Sequence, residues 1–219
     1  MSQHQHYRHL ALIAAMALFM QSLDATILNT ALPAISASLN ESPLEMQMTI
    51  ISYSLTVALF IPLTGWMADK YGTLNVFRAA VGVFVLGSVA CAMANSLNAL
   101  IGSRILQGVG GALMMPVARL TIIRNVPKTQ LVAAWNAMAM AGLIGPVLGP
   151  IVGGWLVTHA TWHWIFLINI PIGVLGILFA GRYMPNSTGK INKLDWRGFI
   201  LFAGGLAGVT LGLDLLSEE

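Results

Sequence analysis

Charge is scarce in this sequence. Only 9% of its 219 residues are Asp, Glu, Lys or Arg, against about 25% in a soluble domain, so a water-soluble fold is excluded. A core of this size would have almost no polar surface to cover it. Cys91 is the only cysteine, which removes any intrachain disulfide framework and any multi-thiolate metal site and leaves the redox compartment open. No serine stands in a nucleophile elbow and no glycine-rich loop ends in lysine followed by serine or threonine, so neither hydrolase nor nucleotidase chemistry is indicated. His159 and His163 are four apart but have no carboxylate or thiol with them, and His4, His6 and His9 belong to a polar tail. Nothing therefore calls for a metal or a cofactor. What is abundant is apolar: 57% of the residues before the 22 glycines are counted, with a mean hydropathy of +0.76. The natural solvent is lipid.

Apolar runs of spanning length, about 17 to 25 residues, recur as Leu10 to Leu32, Met48 to Ala68, Ala79 to Ala94, Leu100 to Ile123, Leu131 to Val157, Trp164 to Tyr183 and Phe199 to Leu216. The first is too long for a cleaved signal sequence, and it contains Asp24. Net charge is +3 and the isoelectric point about 9.3, but the basic excess sits in short loops, so it reports topology and not nucleic acid. Arg8, Lys70, Arg78, Arg124, Lys128, Arg182, Lys190, Lys193 and Arg197 all fall on one side. The opposite loops, Pro33 to Gln47, Asn95 to Ala99 and Thr158 to His163, carry Glu41 and Glu45 and no lysine or arginine. The positive-inside rule then predicts a cytoplasmic N-terminus.

The expected organisation is all-α: a cytoplasmic tail over 1–9, six transmembrane helices over 10–184, a cytoplasmic linker over 185–198 and a seventh transmembrane helix over 199–219. The polar stretch Asn186 to Asp195 reads as the boundary. Gly204, Gly208 and Gly212 give the seventh helix a small-residue stripe suited to packing on another helix. The chain ends at Ser217, Glu218 and Glu219. It reads as part of a longer protein; a complete seven-helix protein is the alternative.

An ionised group at the centre of a membrane helix costs at least ~2.5 to 3.5 kcal/mol, so each one requires a reason. Asp24 lies about 9 Å below the outer edge of a 30 Å apolar core when counted from Leu10, and Arg104 about 9 Å below it when counted from Asn98. If the first and fourth spans are neighbours, the two charges neutralise each other. Gln21 lies near the Asp24 side, while Ser22, Thr26 and Asn29 take the other. Gln21, Asn29 and Gln107 are the candidates for lining a substrate cavity. Arg104, Gln107, Gly108 and Gly111 form one stripe. The blander reading of the charges is a static pair that fixes helix register. In the fifth span Gly142, Gly145, Gly149 and Gly153 share a face with Pro146 and Pro150 between them, which predicts a bent or loosened helix able to move against a neighbour.

Five ordered signatures resemble those of one family. Gly65-Trp-Met-Ala-Asp69-Lys70-Tyr-Gly72 is similar to the loop between helices 2 and 3 of the major facilitator superfamily, and Arg104-Ile-Leu-Gln107-Gly108-Val-Gly110-Gly111-Ala112 to its helix 4. Gly145-Pro146-Val-Leu-Gly149-Pro150-Ile-Val-Gly153-Gly154 resembles the helix 5 signature of antiporters. Leu23-Asp24-Ala-Thr26-Ile-Leu-Asn29-Thr-Ala31-Leu32-Pro33 and Trp162-His-Trp164-Ile-Phe166-Leu-Ile-Asn169-Ile-Pro171 resemble the fourteen-helix drug:proton antiporter branch. The sequence departs from the pattern at Thr73 and Leu74, where two basic residues are usual, and at Ala141, where glycine is usual.

The resemblance implies the N-terminal six-helix bundle of the major facilitator fold plus a seventh helix, in the inner membrane. It implies export of amphipathic small molecules in exchange for protons, with Asp24 and Arg104 as the coupling pair. Gly65, Asp69, Lys70, Gly72, Gly108, Gly145, Pro146, Gly149, Pro150 and Gly153 would serve gating and helix packing. The partners implied are membrane lipid, the substrate, protons and a second six-helix half; nucleic acid is not among them. Two other functions compete: a transporter of one defined metabolite on the same fold, and a non-transporting membrane protein that needs a partner half.

Overall fold

The computed structural model describes residues 3–190 and 194–217. Lys193, Glu218 and Glu219 lie outside the described residues, as do the side chains of His4 and His6 and the packing of Gly212. The described chain is helical: α1 (Gln3–Leu39), α2 (Pro43–Phe60), α3 (Leu63–Tyr71), α4 (Thr73–Ala92), α5 (Leu97–Asn125), α6 (Lys128–His159), α7 (Trp164–Leu167), α8 (Asn169–Tyr183) and α9 (Trp196–Ser217). Among the described residues, five helices are long and apolar enough to cross a membrane, and a sixth span is made by α2 and α3 taken together.

Two expected boundaries are corrected. The outer loop from Pro33 to Gln47 is mostly helix, because α1 continues through Pro33 to Leu39. The second span is not one rod: it bends by 58° between α2 and α3, where Pro62 lacks an amide donor and crowds the carbonyl one turn back. Pro146 and Pro150, where a bent or loosened helix was expected, lie inside α6, which is continuous from Lys128 to His159. The difference lies in what each helix rests on. Along α6, Gly145 and Gly149 bring the backbone against Ser22, Leu23 and Thr26 of α1. Pro62 is exposed.

Serine side chains start two of the helices. Ser42 and Glu45 form a reciprocal capping box at α2, and Ser96 Oγ accepts the Ala99 amide at α5 (3.3 Å). In lipid, apolar burial gains little over lipid contact, so helix association depends on close approach at small residues. Besides α1 against α6, the main seam is α4 against α5. There Gly87 meets the backbone of Gln107, and Gly110 meets Ala80 and Phe84. α2 packs on α5, and α8 on α4 and α1. Gly204, Gly205 and Gly208 of α9 face open space within this chain, so the expected stripe finds no helix here. α9 meets the bundle near α3, across a cleft lined by Trp66, Asp69, Gly198 and Phe202.

The buried apolar residues divide into two clusters. One holds Met20, Phe77, Phe84 and Met114; the other holds Ile27, Met46, Leu100 and Phe166. In α1, α2, α4, α5 and the α7–α8 segment alike, a buried polar residue stands between the members of the two clusters. These are Asp24, Thr49, Ser88, Arg104 with Gln107, and Asn169.

Candidate functional site

Asp24 and Arg104 meet in that polar layer. Arg104 Nη1 is 2.7 Å from Asp24 Oδ2, and each side chain is 1% exposed. The carboxylate takes two more donors on its other oxygen: Gln107 Nε2 donates to Asp24 Oδ1 (2.9 Å) and Asn169 Nδ2 donates to the same atom (2.9 Å). Arg104 Nη1 also donates to Gln107 Oε1 (2.6 Å) and its Nε to the Thr49 carbonyl (3.4 Å). The guanidinium carbon lies 4.1 Å from the centroid of the Tyr53 ring, a cation over an aromatic face. Ser88 Oγ accepts from Gln107 Nε2 (2.7 Å) and Asn169 Nδ2 (3.1 Å). The Cys91 thiol points at Gln107 Oε1 (3.7 Å). Two unit charges, neutralised and hydrogen-bonded on several sides, are thus kept in an apolar bundle.

The helices place this set by simple spacing. Arg104 and Gln107 are three apart and so share a face of α5. The two seams that lack side chains, at Gly87 and Gly108, let α4 and α2 approach that face closely enough for Ser88, Tyr53 and the Thr49 carbonyl to reach it.

Of the cavity candidates, Gln107 is fully buried within the network and lines no opening. Gln21 is half-buried and donates to Tyr53 Oη (3.3 Å) and to the Gly111 carbonyl (3.4 Å), at the margin of the network. Asn29 is exposed on α1 and takes no part. Ser22 and Thr26 face α6, where Thr26 Oγ1 donates to the Gly145 carbonyl (3.3 Å). Gly153 packs on Ile27 and Thr30. His159 and His163 stack on Trp155 and Trp162.

A second cluster occupies the end of the bundle richest in lysine and arginine. Asp69 pairs with Arg124 of α5. Gly72, at φ 86°, makes the turn from α3 into α4 in a conformation that other residues resist. Lys70 lies 4.7 Å over the Trp66 ring, and Gly65 has open space where a Cβ would stand. Thr73, at one of the positions where a basic residue was expected, is buried and fastens the segment that follows α8. Its Oγ1 donates to the Pro185 carbonyl (3.0 Å) and accepts from Ser187 N (3.1 Å). Asn186 Oδ1 accepts from the amides of Leu74 (3.1 Å) and Asn75 (3.4 Å), capping α4 from a distant part of the chain. Gly189 N donates to the Asp69 carbonyl (3.3 Å).

Asn169, Ser88, Tyr53 and Thr49 escaped sequence reasoning as site residues. The usable signal was an amide or hydroxyl alone in an apolar run, at a depth matching that of Asp24.

The pattern for the Major Facilitator Superfamily matches residues 14–199. The chain belongs to this superfamily. It is 72% identical to the Haemophilus influenzae protein named "Probable transport protein HsrA", over 97% of this chain and 46% of that protein. It is 54% identical to the Salmonella typhi protein named "Putative multidrug resistance protein MdtD", over 92% and 43%. The chain thus spans about half the length of the curated relatives it matches. A proton:xylose symporter structure superposes with a TM-score of 0.76 at 14% identity, over 94% of this chain and 50% of that one. The fold is half of the major facilitator fold, and the chain is that of a multi-pass membrane protein.

Proposed function

We propose that this chain forms the N-terminal half of an inner-membrane exporter that releases amphipathic organic compounds in exchange for protons, with its N-terminus in the cytoplasm. The observation that carries the reading is the buried Asp24–Arg104 pair. Asp24 exchanges the proton. Protonation of its carboxylate removes the negative partner and leaves Arg104 charged in an apolar layer. Breaking a buried pair costs about 3–5 kcal/mol, a hundred- to several-thousand-fold change in an equilibrium at about 1.36 kcal/mol per decade. Such a difference biases the two access states oppositely according to whether Asp24 carries a proton, and that bias is what coupling requires. The names of the two relatives support transport, and one of them supports multidrug resistance.

Asp69, Arg124 and Gly72 form the inner gate, and the glycines of α6 keep the α1 seam closed. In the complete transporter, Asp24→Asn retains substrate binding and loses proton-driven uptake of an amphipathic fluorescent dye into inverted vesicles. Uptake against a gradient with unchanged pH dependence in that variant would leave Asp24 as a register-fixing charge only.

A further inference from the structure

Asn169 has one feature that a purely structural amide would not need. Its side chain is fully buried, its Nδ2 is bonded to both Asp24 Oδ1 and Ser88 Oγ, and its Oδ1 is buried with no hydrogen-bond partner. Buried acceptors are rarely left in this way.

The surroundings of Asp24 explain the unused oxygen. A proton arriving on Oδ2 would face the Arg104 guanidinium at 2.7 Å. One arriving on Oδ1 meets the Gln107 and Asn169 amides, and both now point N–H groups at it. One of them must present an oxygen instead. Gln107 cannot turn, because its Oε1 accepts the guanidinium at 2.6 Å and a turn would set amide hydrogens against Arg104. Nothing holds the oxygen of Asn169. The other titratable groups facing Asp24 are Arg104 of α5, Tyr53 of α2 and Cys91 of α4. α8 brings Asn169 alone, and α6 brings Gly145 and Gly149 against Ser22 and Thr26 on the neighbouring part of α1.

We propose that Asn169 is the positioning residue for the proton on Asp24: when Oδ1 is protonated, the Asn169 amide turns by half a rotation and its Oδ1 accepts the new O–H. The inference rests on the proton-exchange reading of Asp24. Its balance is simple. One proton from water adds to Asp24 Oδ1, the carboxylate becomes a neutral acid, and no other bond to hydrogen is made or broken. The two N–H donations from Asn169 to Asp24 and Ser88 become two acceptances from the same two oxygens. When the proton leaves to water on the other side, the amide turns back.

Infrared difference spectra between acid and neutral pH, recorded on the protein in lipid, test this. The carbonyl stretch of protonated Asp24 is identified as the band that disappears on the substitution Asp24→Asn. A carboxylic acid that donates its O–H absorbs at lower frequency than one that does not, so in Asn169→Leu the band moves to higher frequency. Asn169→Val, smaller and equally without an acceptor, gives the same shift should leucine not be accommodated. An Asp24-dependent band at the same frequency in wild type and in both variants overturns the role of Asn169. No titrating band, or one that survives Asp24→Asn, overturns the proton reading of Asp24 and this inference with it.

Discussion

Replacing Gly87 with alanine adds a single methyl group at the seam that holds the polar layer together. A Cβ at this position would stand 2.6 Å from both the Cα and the amide nitrogen of Gln107. Carbon atoms in contact prefer about 3.5–4.0 Å, so relief requires a shift of about 1 Å. Both obstructing atoms are backbone, and no side-chain rotation can supply that shift. α4 and α5 must separate. A separation of about 1 Å would take the Ser88–Gln107 bond, now 2.7 Å, beyond hydrogen-bond range. The cost is about 1–3 kcal/mol for overpacking and about 1 kcal/mol for the bond. Gly82 lies on the same helix with nothing within 4 Å of its would-be Cβ, so Gly82→Ala is the matched control and should gain slightly from helix propensity. Thermal unfolding of the detergent-solubilised protein, followed by its far-ultraviolet circular dichroism, measures both. Equal midpoints for the two variants would refute the view that this seam is filled to the limit.

Asn186→Ala removes the acceptor that caps α4; it should cost about 1 kcal/mol, as lost caps do, and proteolysis of the 185–190 segment should accelerate in proportion. Cysteines introduced at Ser42 and Ser96, in a background with Cys91 replaced, should react with an impermeant thiol reagent from outside intact cells, while those at Thr129 and Thr188 should not. All four positions are exposed, so a reversed pattern would refute the proposed orientation and could not be ascribed to burial.

Asp24 and Arg104 were legible because a charge within an apolar run is costly and matched depths identify a partner. Gln107, three residues from Arg104, was legible with them, but Ser88 and Asn169 were not, since a lone serine or asparagine in a membrane helix is inexpensive and commonly bonds its own backbone. Proline alone did not locate the break between helices. The rule for Pro146 and Pro150 describes one helix in isolation, whereas Gly142, Gly145, Gly149 and Gly153 set this one against α1. The bend fell at Pro62, which has no such support. Asn186, Ser187 and Gly189 read as ordinary linker residues because their roles depend on contact with Leu74 and Asn75, Thr73 and Asp69 respectively, more than a hundred positions earlier in the chain.

The fastening of that segment sets the length of a leash. Were the chain free from the end of α8, twelve residues would separate that helix from Trp196; with Ser187 and Gly189 tied, six residues separate the last tie from it. At ~3.5 Å per residue they reach about 20 Å when fully extended. The start of α9 is therefore tethered beside the Asp69–Arg124 pair, and in the proposed gate any displacement of that helix would be felt there first.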